Sequence, residues 1–234
     1  MPFYYYFDPT MLLILPAILF ALWAQIRVQT AFHAGKKVQT PYGMNGYAVA
    51  RRILDENGLD YIRVEEISGE LTDHYDPKAQ VIRLSGSVWN GENASAVGVA
   101  AHEAGHAVQY AENYGPIRFR MTIIPVCNIG SRLAMPLFLI GWFLNFVGLM
   151  WAGIIFFGLT TLFQLVTLPV EFDASHRAMK VLRGCGEFDD KQIKASRKVL
   201  TAAALTYVAA LFTSLVYLLR YVLLAMAAGG KRRR

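Results

Sequence analysis

Met121 to Val170 is a tract of fifty residues in which Arg132 is the sole charge. Soluble domains interrupt apolar runs far sooner, so a tract of this length constrains the chain to a membrane. At about 20 residues per crossing it holds two transmembrane helices and a tight turn, expected near Asn145 to Gly148. The crossings must be helical, because hydrocarbon offers no water to backbone groups left unbonded. Two further runs have the same character. Met11 to Ile26 is free of charge and follows Phe3-Tyr4-Tyr5-Tyr6-Phe7, an aromatic group suited to the headgroup interface. Leu200 to Gly229 carries only Arg220. The first residues lack the basic region of a signal peptide, and no small-residue cleavage site follows, so the first run is expected to be a retained helix. Four crossings are the simplest count, and the 55% hydrophobic content agrees with them.

Two polar stretches lie between these spans, residues 27–120 and 171–199. Two crossings separate them, which puts them on the same side. The first holds Val99-Ala-Ala-His-Glu-Ala-Gly-His-Ala-Val-Gln109. On a helix, His102 and His106 lie four residues apart on one face, with Glu103 beside them. This HExxH spacing supplies two zinc ligands and a general base. The flanking Ala100, Ala101, Ala104, Ala107 and Val108 are small or apolar, as a buried helix needs. A hydrolytic zinc site has three protein ligands and a water, so a third ligand must come from elsewhere. Glu171, two residues beyond Pro169 where the third apolar run ends, is the best candidate. On residues alone it reads equally well as a marker of the membrane boundary.

The chain resembles the YugP-like family of membrane zinc metallopeptidases, distant relatives of the HtpX and CAAX-prenyl protease group of gluzincins. The resemblance rests on His74-Tyr75-Asp76-Pro77, Val97-Gly-Val-Ala-Ala-His-Glu-Ala-Gly-His106, Phe163-Gln-Leu-Val-Thr-Leu-Pro-Val-Glu-Phe172 and Ala202-Ala-Ala-Leu-Thr-Tyr-Val-Ala209. It implies that Glu171 is the third zinc ligand, in the gluzincin pattern E-x-x-x-D. Ser175 stands at the last position of that pattern in place of the aspartate that supports a zinc-binding histidine, which weakens that support or shifts it to another residue. Asp173 is expected to face elsewhere on its helix. The implied chemistry is peptide hydrolysis with Zn2+ on His102, His106 and Glu171 and with Glu103 as general base. His176, Arg177, His74 and Tyr110 are candidates for a second electrophile that steadies the oxyanion, with His176 preferred.

The expected fold is a mainly α membrane protein: four transmembrane helices with a small α+β zincin-like domain at the membrane surface. The expected division is a first span over 1–27 and an aqueous domain over 28–120 with its HExxH helix at 94–112. The second and third spans occupy 121–170, a third-ligand helix and connector 171–199, the fourth span 200–228 and a basic tail 229–234. Within the aqueous domain, Gly46 to Asn57 has helical spacing closed by Asn57-Gly58. Tyr61 to Ile67 and Val81 to Leu84 read as strands. In gluzincins the strand before the HExxH helix is an edge that aligns substrate, so the resemblance points to Val81 to Ser85; a hairpin that only packs on the helix is the equal alternative.

Seventeen of the 23 Lys and Arg lie in the two zinc-bearing stretches, 10 in residues 27–120 and 7 in 171–199. Positive-inside bias therefore puts the site in the cytoplasm, against the opposing vote of the tail Lys231-Arg-Arg-Arg234. A net charge of +6 needs no nucleic acid, since anionic lipid accounts for it. Cys127 and Cys185 imply no disulfide. A nucleotide-driven protease is excluded by the lack of a GxxxxGK[ST] loop. An intramembrane protease would carry its histidines inside an apolar span, whereas Ala94 to Tyr110 lies between polar segments. A non-enzymatic scaffold that keeps zinc for structure is the competing class; it would close the site with a fourth ligand such as His33 or His74. The expected partners are the lipid bilayer and membrane-protein or peptide substrates.

Overall fold

The computed structural model describes residues 8–231; the aromatic group at 3–7 and the end of the basic tail lie outside the described residues. In chain order the elements are α1 (Ile14–Lys36), α2 (Gly46–Glu56), β1 (Arg63–Ile67), β2 (His74–Asp76), β3 (Val81–Ser85), α3 (Gly86–Trp89), α4 (Ala94–Ala111), α5 (Gly115–Phe143), α6 (Val147–Gly184) and α7 (Asp190–Lys231). The protein is a mainly α membrane protein with a small α+β part, and α1, α5, α6 and α7 are long and apolar enough to cross a bilayer.

The described residues fall into two compact units. One comprises the chain through Trp23, Phe119–Leu168 and the chain from Tyr207. Its core gathers Phe138, Met150, Ile154, Tyr221 and Ala225. Leu19, Leu22, Phe143, Ile155 and Leu215 are exposed, the outward apolar surface that lipid requires. The turn after α5 is where the sequence puts it. Asn145 adopts a left-handed φ of 51°, Phe146 N–H donates to the Gly141 carbonyl at 2.7 Å, and Asn145 N–H donates to that of Trp142 at 3.2 Å. This double bond closes the helix and reverses the chain. Arg220 is not left as a bare charge: its guanidinium donates to Asp8 Oδ2 at 2.9 Å and to Thr10 Oγ1 at 3.2 Å.

The other unit, Ala24–Arg118 with Pro169–Thr206, carries the HExxH helix. α2 buries Val49, Ala50, Ile53 and Leu54, a stripe at helical spacing. Its ends are capped by Asn45, whose side chain accepts from Ala48 N–H at 2.8 Å, and by Gly58 at φ 67°, where Leu59 N–H reaches the Leu54 carbonyl at 2.8 Å. The sheet has the order β1-β3-β2, with β1 parallel and β2 antiparallel to β3.

The strand expected at the sheet's edge, Val81–Ser85, is instead its centre. Val81, Ile82, Leu84 and Ser85 are all fully buried, and the strand is bonded on both sides. Strands covered on both faces read as apolar runs, which says nothing about lateral position. The edge nearest α4 is β2. Its three residues, His74, Tyr75 and Asp76, show no apolar alternation and so carry no strand signal.

α6 runs without interruption from Val147 to Gly184, so Pro169 lies within the helix and one element carries both an apolar span and Glu171. α7 begins at Asp190, ahead of the expected Leu200. A capping box starts it: Gln192 N–H donates to Asp189 Oδ1 at 2.7 Å, and Asp189 N–H donates to Gln192 Oε1 at 2.8 Å.

Candidate metal centre

α4 starts where Asn93 Oδ1 accepts from Ala96 N–H at 3.1 Å. It ends where Asn113, at φ 55°, lets Tyr114 N–H reach the Gln109 carbonyl at 3.0 Å. Ala94, Ala100, Ala101 and Ala104 are fully buried, which lets other elements approach closely. Gly105 has a specific task. A Cβ built there would lie 2.9 Å from the Ala174 carbonyl oxygen, so the contact between α4 and α6 requires glycine. Ala174 is three residues past Glu171, and this contact sets how near Glu171 comes to the histidines.

Glu171 Oε2 lies 3.3 Å from His102 Nε2 and 3.5 Å from His106 Nε2. The three side chains are 4%, 13% and 12% exposed, and one ligand atom from each lies within 4.8 Å of the others. Two imidazoles and a carboxylate are a donor set that zinc accepts. The orientation of the rings fits as well. His102 Nδ1 is 3.2 Å from Ser175 Oγ, and His106 Nδ1 is 3.0 Å from Gln109 Oε1, so both rings turn Nε2 toward Glu171. Burial pushes the His106 imidazole down. Glu171 beside Nε2, the charge of Glu103 and the bond to Gln109 pull it up by more, so His106 holds its proton above the ordinary histidine range.

Glu103 stands next to this set and outside it. It is 8% exposed, and its Oε2 accepts from Tyr75 N–H on β2 at 3.0 Å. Nearby, Asp73 accepts from Ser85 N–H at 2.7 Å and from Ser85 Oγ at 3.1 Å. Burial pushes its carboxyl up, opposed by these bonds and reinforced by the charge of Glu103.

The remaining candidates lie apart from the cluster. His176 is exposed, and five residues along a helix turn it about 140° from Glu171. Arg177 donates to Asp173 Oδ2 and Glu112 Oε2, both at 2.6 Å. His74 sits on β2 with Nδ1 2.8 Å from the Thr72 carbonyl and Nε2 3.4 Å from Arg83 Nη1. The Tyr110 ring packs edge-on against Tyr75, centroids 5.5 Å apart, and burial pushes the Tyr75 phenol up to about 12. Among the described residues neither His33 nor His74 joins the three-residue cluster.

Two participants escaped the sequence reading. Gln109 Nε2 donates to the Val170 carbonyl and to Asp173 Oδ2, each at 2.8 Å. Asp173, expected to face elsewhere, is thereby joined through Gln109 to His106. A glutamine three residues beyond the second histidine looks like the polar end of a helix, and only the packing of α6 reveals its use.

Residues 10–226 match the family described as "Putative neutral zinc metallopeptidase". The chain belongs to this family. It is also 46% identical, over 91% of its length and 94% of the relative's, to a Bacillus subtilis (strain 168) protein called "Putative membrane protease YugP". No solved structure matches it. Membership of a zinc metallopeptidase family implies Zn2+, and the cluster of His102, His106 and Glu171 has a composition that could hold it. With four apolar helices, the family member is a multi-pass membrane protein.

Proposed function

We propose that the protein is a gluzincin-type membrane endopeptidase in which His102, His106 and Glu171 hold zinc and Glu103 is the general base. The observation that carries this reading is the convergence of Glu171 from α6 on the Nε2 atoms of both α4 histidines, at 3.3 and 3.5 Å. A bound zinc ion supplies Lewis acidity, which makes water nucleophilic near neutral pH and polarises a peptide carbonyl. Glu103 takes the proton from the attacking water and passes it to the departing amine. Tyr75 N–H orients that carboxylate from the strand side. Ser175 fills the role of the aspartate in E-x-x-x-D by meeting His102 Nδ1.

The substrate is an extended peptide laid along β2. Tyr75 turns its N–H away from β3 toward Glu103, so this edge borders the base. Main-chain pairing gives affinity with little sequence selectivity. Glu171 follows an apolar span along one helix, which favours substrates that are membrane proteins or segments near the membrane surface. Seventeen basic residues in the two zinc-bearing stretches favour a cytoplasmic site.

Glu103→Gln tests the mechanism. The variant keeps its zinc and loses peptide hydrolysis by at least about 100-fold, the scale of a lost general base. Zinc loss in this variant, or activity that survives it, removes Glu103 from that role.

A further inference from the structure

We propose that Gln109 is a positioning residue that fixes the tautomer of His106 and, through the same amide, the placement of Glu171. The inference rests on the ligand assignment above and concerns how this chain's own residues prepare that set.

The side-chain amide of Gln109 is fully buried and has three neighbours. Two of them, the Val170 carbonyl and the Asp173 carboxylate, accept hydrogen bonds and cannot donate, so the end of the amide that faces them at 2.8 Å must be the NH2. The end that faces His106 Nδ1 at 3.0 Å is then the oxygen, which can only accept. His106 must carry a proton on Nδ1, so that once the ring is neutral its lone pair lies on Nε2, on the side of Glu171. Asp173 is itself held by Arg177 at 2.6 Å, which keeps the acceptor for the second amide hydrogen in place.

His102 has no such dictation. Its Nδ1 neighbour is the Ser175 hydroxyl, which rotates to donate or accept and so tolerates either tautomer. The asymmetry assigns the tautomeric control of the site to the second histidine. The amide also reaches the carbonyl of Val170, the residue immediately before Glu171. One side chain therefore bonds one ligand directly and the backbone beside another.

The test compares full-length, detergent-solubilised Gln109→Met and Gln109→Glu with wild type in two readouts, zinc affinity by chelator competition and thermal unfolding of zinc-stripped protein. Methionine keeps the bulk and removes the acceptor; zinc affinity falls by about 10- to 100-fold, the usual effect of losing such support. Glutamate, ionised or protonated, still offers His106 an acceptor but gives up at least one of the amide's two donations and sets a carboxyl group against Asp173. It is expected to bind zinc at least about 10-fold more tightly than the methionine variant while unfolding at a lower temperature. Opposite ranking in the two readouts is the signature of positioning. If Gln109 only braces α4 against α6, zinc affinity follows folding stability, and the glutamate variant is worse in both; that result overturns the proposal. Nitrogen-15 NMR of histidine-labelled, zinc-stripped wild type, taken at a pH where His106 is neutral, decides the matter even if a variant fails to fold. His106 must show a slowly exchanging proton on Nδ1, and a protonated or exchange-broadened Nε2 with a bare Nδ1 overturns the assignment.

Discussion

His102 and His106 each commit Nδ1 to a neighbour and leave Nε2 for the space beside Glu171, and at the residue scale this division of labour is what would let two imidazoles chelate one metal ion. Ser175 is the smaller of the two supports. Ser175→Ala should weaken zinc binding by about 10-fold, the low end for a lost supporting bond, and Ser175→Asp should restore it; chelator competition on the purified protein measures both. The protonation of His106 gives a second expectation. Its folded pKa is raised, so in zinc-stripped protein it holds a proton up to a pH above the ordinary value near 6.5, and zinc must expel that proton. Zinc affinity should therefore fall as pH drops through the raised pKa, by about tenfold per unit for each proton released. Calorimetry in buffers of different ionisation enthalpy counts that proton; uptake independent of buffer would contradict the raised pKa. At this scale the two histidines were legible because helical spacing alone puts them on one face. Ser175 was legible as a departure from a pattern. Gln109 was not, because two of its three partners come from a helix more than sixty residues away in the chain.

Elements meet here because α4 is lined with residues too small to hold its neighbours off. Gly105 is the tightest case, with the Ala174 carbonyl already 2.9 Å from where a Cβ would stand. Gly105→Ala should force α6 outward and cost about 1–3 kcal/mol of stability, as overpacking does. Because the displaced segment carries Glu171, zinc affinity should fall together with the unfolding temperature; a variant that unfolds at a lower temperature yet binds zinc normally would separate Gly105 from the site. The glycine of HEAGH thus has a packing reason that the motif alone does not disclose. The helix end at Asn57-Gly58 was readable, since capping chemistry is local, and Asn45 and Asn93 cap their helices by the same local chemistry. The lateral order of the strands was not. β3 looks like a strand from its apolar run, but which neighbours flank it depends on chain crossings that leave no local mark, and β2 has only three residues to announce itself.

For the whole molecule, the apolar tracts dictated four long helices before any contact was known, because hydrocarbon leaves the backbone no alternative. The sidedness proposed from charge can be read directly. Single cysteines at the exposed positions Ser68 and Lys78, introduced after replacement of the free Cys127 and Cys185, should resist a membrane-impermeant thiol reagent in intact cells and react once the membrane is permeabilised. Labelling without permeabilisation would put the zinc-bearing stretches outside. The central claim is narrower than topology: a carboxylate on α6 completes a metal site begun by two histidines on α4. Its most direct test is the zinc content of purified full-length protein after dialysis against a chelator, measured by elemental mass spectrometry for wild type and for the near-isosteric Glu171→Gln. Wild type should retain about one zinc per chain and the variant almost none. A Glu171→Gln protein that keeps the wild-type stoichiometry would contradict the account.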